Sequence, residues 1–277
     1  AKSVPPFSVS HWAYGAVLSK LAAGVVAPLF DLMLGMDERA YSVALDLIGM
    51  YVHGQPQRLE ELRPQLKLAV RNVGLRPNRR GSQMDAHHFK EMIGWLLAKG
   101  WDDPDARSVA LTLAKHIAEK PDSDAVEMVQ PLLPTMLSKF APIVWPVFGQ
   151  AIVADKAKGW YLEHALGDSF TFADEKNPAV LKVPEDILFA WCDAHPDAGP
   201  AFLAGIVPVL TTRREDAPER ALHPIAKRLL DEFGEREDVL RKFSQNMHTF
   251  GWRGSRTTYY AMYETPLRVL EGHPIGA

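Results

Sequence analysis

Gly251 and Gly254 bracket Trp252 and Arg253, and the segment from Asn246 to Ser255 runs directly into Tyr259, Tyr260 and Tyr263. Two glycines let a backbone turn tightly and present an indole beside a guanidinium. Such a pair can stack on a base or grip a carboxylate or phosphate. The same residues also admit a plain packing role, with Trp252 folded back as a hydrophobic plug and the tyrosines covering the last helix. Trp252, Arg253, Tyr259 and Tyr260 are the binding candidates of this segment.

A second candidate is the basic loop with Arg71, Arg76, Arg79 and Arg80, which precedes Ser82 and a helix bearing His87 and His88. Arginines gathered before a helix N-terminus are placed to hold phosphate, although short basic loops on a near-neutral chain are also simply solvated. Arg76, Arg79 and Arg80 are its binding candidates. Adjacent histidines on a helix point about 100° apart, which suits two separate partners better than one shared metal. No His-x-x-x-His pair replaces them, so neither a metal nor a cofactor is expected.

Cys192 and His195, in Trp191-Cys192-Asp193-Ala194-His195-Pro196, place a thiol and an imidazole three residues apart. An activated thiolate needs such a base. Here Pro196 ends the helix, while Trp191, Ile187 and Leu188 imply burial, so the cysteine reads as an apolar filler and not a nucleophile. Ser169 and Ser255 lack the strand-turn-helix setting of a nucleophile elbow. The acids Asp102, Asp103 and Asp105, and likewise Asp122, Asp124 and Glu127, stand at helix starts, where capping and the helix dipole account for them. No catalytic residue is assigned.

Composition narrows the partners. The 277 residues are 47% hydrophobic, enough for a large buried interior, either as one elongated domain or as two compact ones. A net charge of -3 and a pI near 6.4 argue against a surface built throughout for nucleic acid. A protein partner is therefore favoured and nucleic acid disfavoured. One cysteine excludes an intramolecular disulfide and a multi-cysteine zinc site, which fits a reducing cytoplasm. No apolar run reaches the roughly 18 residues of a membrane span, so no membrane partner is expected. The start, Ala1-Lys2-Ser3-Val4, has neither an initiator Met nor a signal-peptide core, and the expectation is a fragment of a longer chain.

The elements that must position these residues follow a cadence. Amphipathic segments of about a dozen residues succeed one another, each closed by Pro, Gly or Asp. The spacing predicts helices over 59–70, 85–97, 126–140 and 202–210. Two segments share a phase: Val43, Ala44, Leu47, Ile48 and Tyr51 match Val109, Ala110, Leu113, Ala114 and Ile117, one buried face in each case. Their offset predicts two helical hairpins of about 33 residues each, with equivalent neighbours. Ile225, Ala226, Leu229, Leu230 and Phe233 repeat the stripe after Pro224, a residue suited to a first turn. A partner helix near Glu235 carries Val239, Leu240, Phe243 and Met247.

Asp103-Pro104-Asp105-Ala106-Arg107, followed by Ala110 and Leu113, resembles the start of the second helix of HEAT repeats. In that family the Asp and Arg form a ladder between stacked units while Ala and Leu face the core. The resemblance covers about one repeat closely and implies architecture, not chemistry. The stretch around Asn246 to Tyr263 is similar to helical regions of large bacterial multidomain proteins, some with nucleotidase or defence roles.

The cadence fails from Gly167 to Lys182, which has no helical stripe. Pro142, Pro146, Gly149 and Gly159 are expected to make the helices before it irregular. The expected fold is thus an all-α, HEAT-like α-solenoid of stacked antiparallel hairpins, with residues 1–166 and 183–277 as its halves and 167–182 an irregular connector across their joint. The expected function is a non-enzymatic macromolecular binding or scaffold module in a larger protein. Two alternatives are a HEAT-like DNA-binding enzyme, such as an alkyl-base glycosylase, and a helical regulator with a small-molecule pocket between the halves.

Overall fold

The computed structural model of the chain describes residues 9–75, 83–122, 125–167, 178–209 and 222–251, and every regular element among them is helical. It forms two compact units, Ala1–Phe140 and Ala141–Ala277. The sequence places its division later, at 167–182. Among the described residues, no helix is long and apolar enough to cross a membrane.

The first unit contains α1 (Val9–Leu18), α2 (Ala23–Met36), α3 (Glu38–Val52), α4 (Gln57–Glu61), α5 (Arg63–Arg71), α6 (Gln83–Ala98), α7 (Pro104–Glu119), α8 (Ala125–Val129) and α9 (Leu133–Lys139). Its contacts fall into two rows. Helix α2 touches α5 and α5 touches α7, while α3 touches α6 and α6 touches α8 and α9. The side-chain bonds give the direction within each row. Ser42 and Asp46 on α3 meet Asp85 and His88 on α6 in that order, and Arg63 and Lys67 on α5 meet Asp103 and Asp105 at the start of α7. Neighbours in a row therefore run parallel.

These rows do not give α3 and α7 the equivalent neighbours that the 33-residue spacing predicts. Helices α3 and α7 do share an apolar register, with Ala44, Leu47, Ile48 and Tyr51 buried in one and Val109, Ala110, Leu113, Ala114 and Ile117 in the other. They lie in different rows, however. The sequence separation between bonded row neighbours runs from 34 residues for Asp31 and Gln65 to 43 for Ser42 and Asp85, with 42 for Asp46 and His88, 40 for Arg63 and Asp103, and 38 for Lys67 and Asp105.

Proline sets several helix boundaries. The helix expected over 59–70 is broken at Leu62, because Pro64 occupies the first turn of α5. The one expected over 126–140 is divided into α8, a 3-10 turn at Gln130–Leu132 and α9, with Pro131 and Pro134 at the two restarts. Asp103 caps α7 by accepting from the backbone N–H groups of Asp105 and Ala106 at 2.9 and 3.0 Å. Its other oxygen accepts from Arg63 at 2.7 Å. Burial opposes ionisation of this carboxyl, but the Ala106 N–H and the Arg63 guanidinium outweigh it and hold the group below the ordinary carboxylate range. Arg107, in turn, stacks over Trp101 at 5.6 Å.

The second unit contains α10 (Ala141–Ala154), α11 (Lys156–Gly167), α12 (Glu185–Ala194), α13 (Gly199–Ile206), α14 (Pro224–Phe233) and α15 (Glu237–Gly251), with a 3-10 turn at Ala179–Lys182 that packs on α11. Helix α10 touches α12, and α11 touches α13, which touches α15. The separations resemble those of the first unit: Glu185 pairs with Arg228, 43 residues on, and Asn246 donates to Ala204 O, 42 residues back. Helix α10 continues through Pro146 and is not broken there. Ile225, Ala226, Leu229 and Leu230 are buried as their stripe predicts, while Phe233 is half-buried. Of the α15 stripe, Val239 and Phe243 are buried and Leu240 is half-buried; the Met247 side chain lies outside the described residues.

Candidate functional site

Trp252, Arg253, Tyr259, Tyr260, Arg76, Arg79 and Arg80 all lie outside the described residues, as does the 168–177 part of the expected connector. The site that takes shape among the described residues is elsewhere: a cleft of about 770 Å³ inside the first unit, bounded by α1, α3, the turn after α3, and α6. That volume suits a small ligand or a side chain cluster of a partner.

Its floor is the contact of α3 with α6. His88 Nδ1 lies 3.2 Å from Asp46 Oδ1, and both side chains are largely buried, 16% and 12% exposed. The approach depends on Gly49, where an added methyl would fall 2.3 Å from the imidazole. One rung further down, Ser42 donates to Asp85 at 3.0 Å, and Asp85 also accepts from the Ala86 N–H at 2.7 Å. Sequence explains the alignment. Asp46 and Gly49 lie one helical turn apart on α3, and Asp85 and His88 one turn apart on α6, so parallel helices bring them into register.

The walls are mostly apolar. Met50, Met92, Leu59 and Trp95 line them, with Gly15 of α1 close against Met50. The turn that carries His53 into the cleft needs Gly54, whose φ of 69° lies in the left-handed region. Arg58 pins α1 to this turn by donating to Tyr51 O at 2.9 Å and Ser19 O at 2.8 Å while stacking over the Tyr51 ring. Lys99 sits over Trp95 at 4.3 Å and is paired with Glu60. These two cations are thus engaged outside the cleft lining.

The arrangement has a carboxylate and an imidazole in contact, and among the described residues no nucleophile is placed beside them. Ser19 donates to Ala16 O of its own helix at 2.8 Å, and Ser42 is engaged by Asp85. His87 and His88 diverge, as their adjacency predicts: His87 is 3.8 Å from Glu91, and His88 turns to Asp46. Among the described residues no group of three or more His, Cys, Asp and Glu is placed to hold a metal ion. Sequence reasoning weighed His87 and His88 against a metal and missed Asp46 and Gly49. The available signal was an acid and a glycine three residues apart inside an otherwise apolar helix face.

Cys192 is fully buried on α12, and burial first, with Asp193 adding to it, pushes its thiol up to about 12. His195 caps the same helix and lies with its ring 5.8 Å from that of Trp191. This thiol has the opposite of a nucleophile's environment. The pocket expected between the halves does not coincide with this cleft, which belongs to the first unit alone. No family model, curated protein or solved structure matches the chain.

Proposed function

We propose that the chain is a non-enzymatic binding module, a HEAT-like α-solenoid whose partner is a protein helix received on the outer face of α2. The architectural part is supported by the recurrence of separations near 40 residues within each unit, the size of a HEAT hairpin. Ala110 and Leu113 are buried, in keeping with the family resemblance, although Asp103 pairs with Arg63 while Arg107 of the motif stacks over Trp101.

The observation that carries the binding role is α2 itself. Its inner face buries Ala23, Val26, Phe30 and Leu34. Its outer face exposes Val25, Leu29, Leu32 and Met36, with Val25 63% and Leu32 62% exposed. The outer four follow a spacing of four, three and four residues, the seam pattern by which one helix receives another. A helix apolar on both faces belongs in an interior, and a contiguous apolar patch on a surface marks an interaction site. Asp31 is the sole charge on α2, and it accepts from Gln65 at 2.9 Å, so the seam offers shape and apolar area but no charge to a partner.

The test is photo-crosslinking from position 32 in the protein's native cells. A discrete protein adduct that Leu29→Glu suppresses, with thermal stability unchanged, is the expected result. The absence of any adduct would overturn the reading. Duplex binding at about 50 mM salt that disappears with Arg79→Ala and Arg80→Ala would replace it with the nucleic-acid alternative.

A further inference from the structure

We infer that the cleft between α1, α3 and α6 binds an organic cation, a primary amine or guanidinium on a short apolar stem, with Asp46 and Glu91 receiving the charge and Met50, Met92 and Trp95 flanking the stem. This site is separate from the α2 seam and does not rest on the function proposed for it.

The sign of the ligand follows from what lines the cleft. Among the described residues, two carboxylates, Asp46 and Glu91, contribute to it, and no lysine or arginine does. Two described cations next to lining residues are held elsewhere, Arg58 by two backbone carbonyls and Lys99 by Glu60. Among the described residues, an anion entering the cleft would meet two carboxylates with only imidazoles opposite them. Three imidazoles, His53, His87 and His88, line the same space and are the remaining titratable groups that face it.

Asp46 is the anchor. Its side chain is only 12% exposed, and a carboxylate withdrawn from water is costly unless it is hydrogen-bonded or paired. His88 engages Oδ1, whereas a carboxylate has acceptor capacity on both oxygens. A ligand N–H donor at Oδ2 would form a charge-assisted bond in a partly dry site, where such bonds are strongest. Glu91 lies one turn along α6 from His87 and is 67% exposed, so it marks the solvent end of the acidic lining. The thioethers of Met50 and Met92 adapt to stems of differing shape.

Free amines and the Lys or Arg side chain of a peptide present the same chemistry, and the probes separate them. The full chain, carrying 13C-methyl methionine, is titrated with phenethylamine, with the uncharged phenethyl alcohol, and with acetyl-Leu-Arg-Leu-amide. Saturable shifts of the Met50 and Met92 methyls are expected with the amine, and at least tenfold weaker binding with the alcohol. Tighter binding of the peptide than of phenethylamine assigns the site to a peptide side chain; the reverse order assigns it to free amines. Asp46→Asn is expected to weaken amine binding tenfold or more, and Glu91→Gln about threefold. Equal shifts with amine and alcohol, or no shift with any probe, overturn the inference. Should Asp46→Asn fail to fold by its thermal transition, an unchanged amine affinity in Glu91→Gln overturns it as well.

Discussion

The imidazole of His88 rests on the backbone of α3 at Gly49, where a single added methyl would fall 2.3 Å from the ring. Gly49→Ala is therefore expected to drive His88 away from Asp46 and to destabilise the first unit by about 1–3 kcal/mol, the usual range for overpacking. Gly94→Ala on α6 is the control. Its new methyl would make an ordinary contact with Leu132 at 3.6 Å, and removing a glycine from mid-helix should stabilise by about 0.5–1 kcal/mol. Chemical denaturation of the two variants checks the opposite signs.

Asp103 combines a cap with an inter-helix ion pair, so its loss should be felt twice. Asp103→Ala is expected to cost about 1–2 kcal/mol through the cap alone. Because the folded state holds this carboxyl below its ordinary value, the unfolded chain takes up the proton first as pH falls. The stabilisation is thus complete above the ordinary carboxylate range and is lost as pH drops from about 4 through the lower folded value. Denaturation midpoints of wild type and Asp103→Ala should converge over that window. Parallel curves down to pH 2 would contradict the assignment.

The Cys192 thiol, pushed up to about 12 by burial, should remain unlabelled by iodoacetamide at pH 8 while the fold is intact and react fully in denaturant. Mass spectrometry of the intact chain reads this directly. Prompt labelling of the native protein would show that α12 opens far more readily than its packing implies.

Asn246 performs for α13 what Asp103 performs for α7, at the other helix end. From α15 its amide donates to Ala204 O at 3.0 Å and Val207 O at 2.6 Å, two carbonyls that the end of α13 leaves without helical partners. Asn246→Leu should cost about 1–3 kcal/mol, since buried carbonyls would lose their donor. The loss is measurable by thermal unfolding of the chain.

The apolar stripes of α3, α7 and α14 were readable from the sequence because a helix that buries one face against a core must repeat its apolar residues with the helical period. The caps were readable for a similar reason: Asp103 and Pro104 act within a few residues of their own position. The row spacing was not. It is set by where α5 and α6 intervene between α3 and α7, and two helices with the same stripe can belong to different rows. The cleft was equally hidden, because Asp46 and His88 are 42 residues apart and only the parallel run of α3 and α6 makes them neighbours.

The recurring separation near 40 residues also governs how the chain can be made. A rung such as Arg63 to Asp103 closes as soon as one further helical pair has been synthesised, a matter of seconds at about 5–20 residues per second. Glu163 and Lys242, 79 residues apart, must wait for roughly twice that length. Each unit can therefore assemble from its N-terminal side by successive short closures, with a newly exposed apolar face sheltered by the next pair before a distant segment is needed. The outer face of α2 is the exception, since among the described residues its four apolar residues stay exposed after the row has closed.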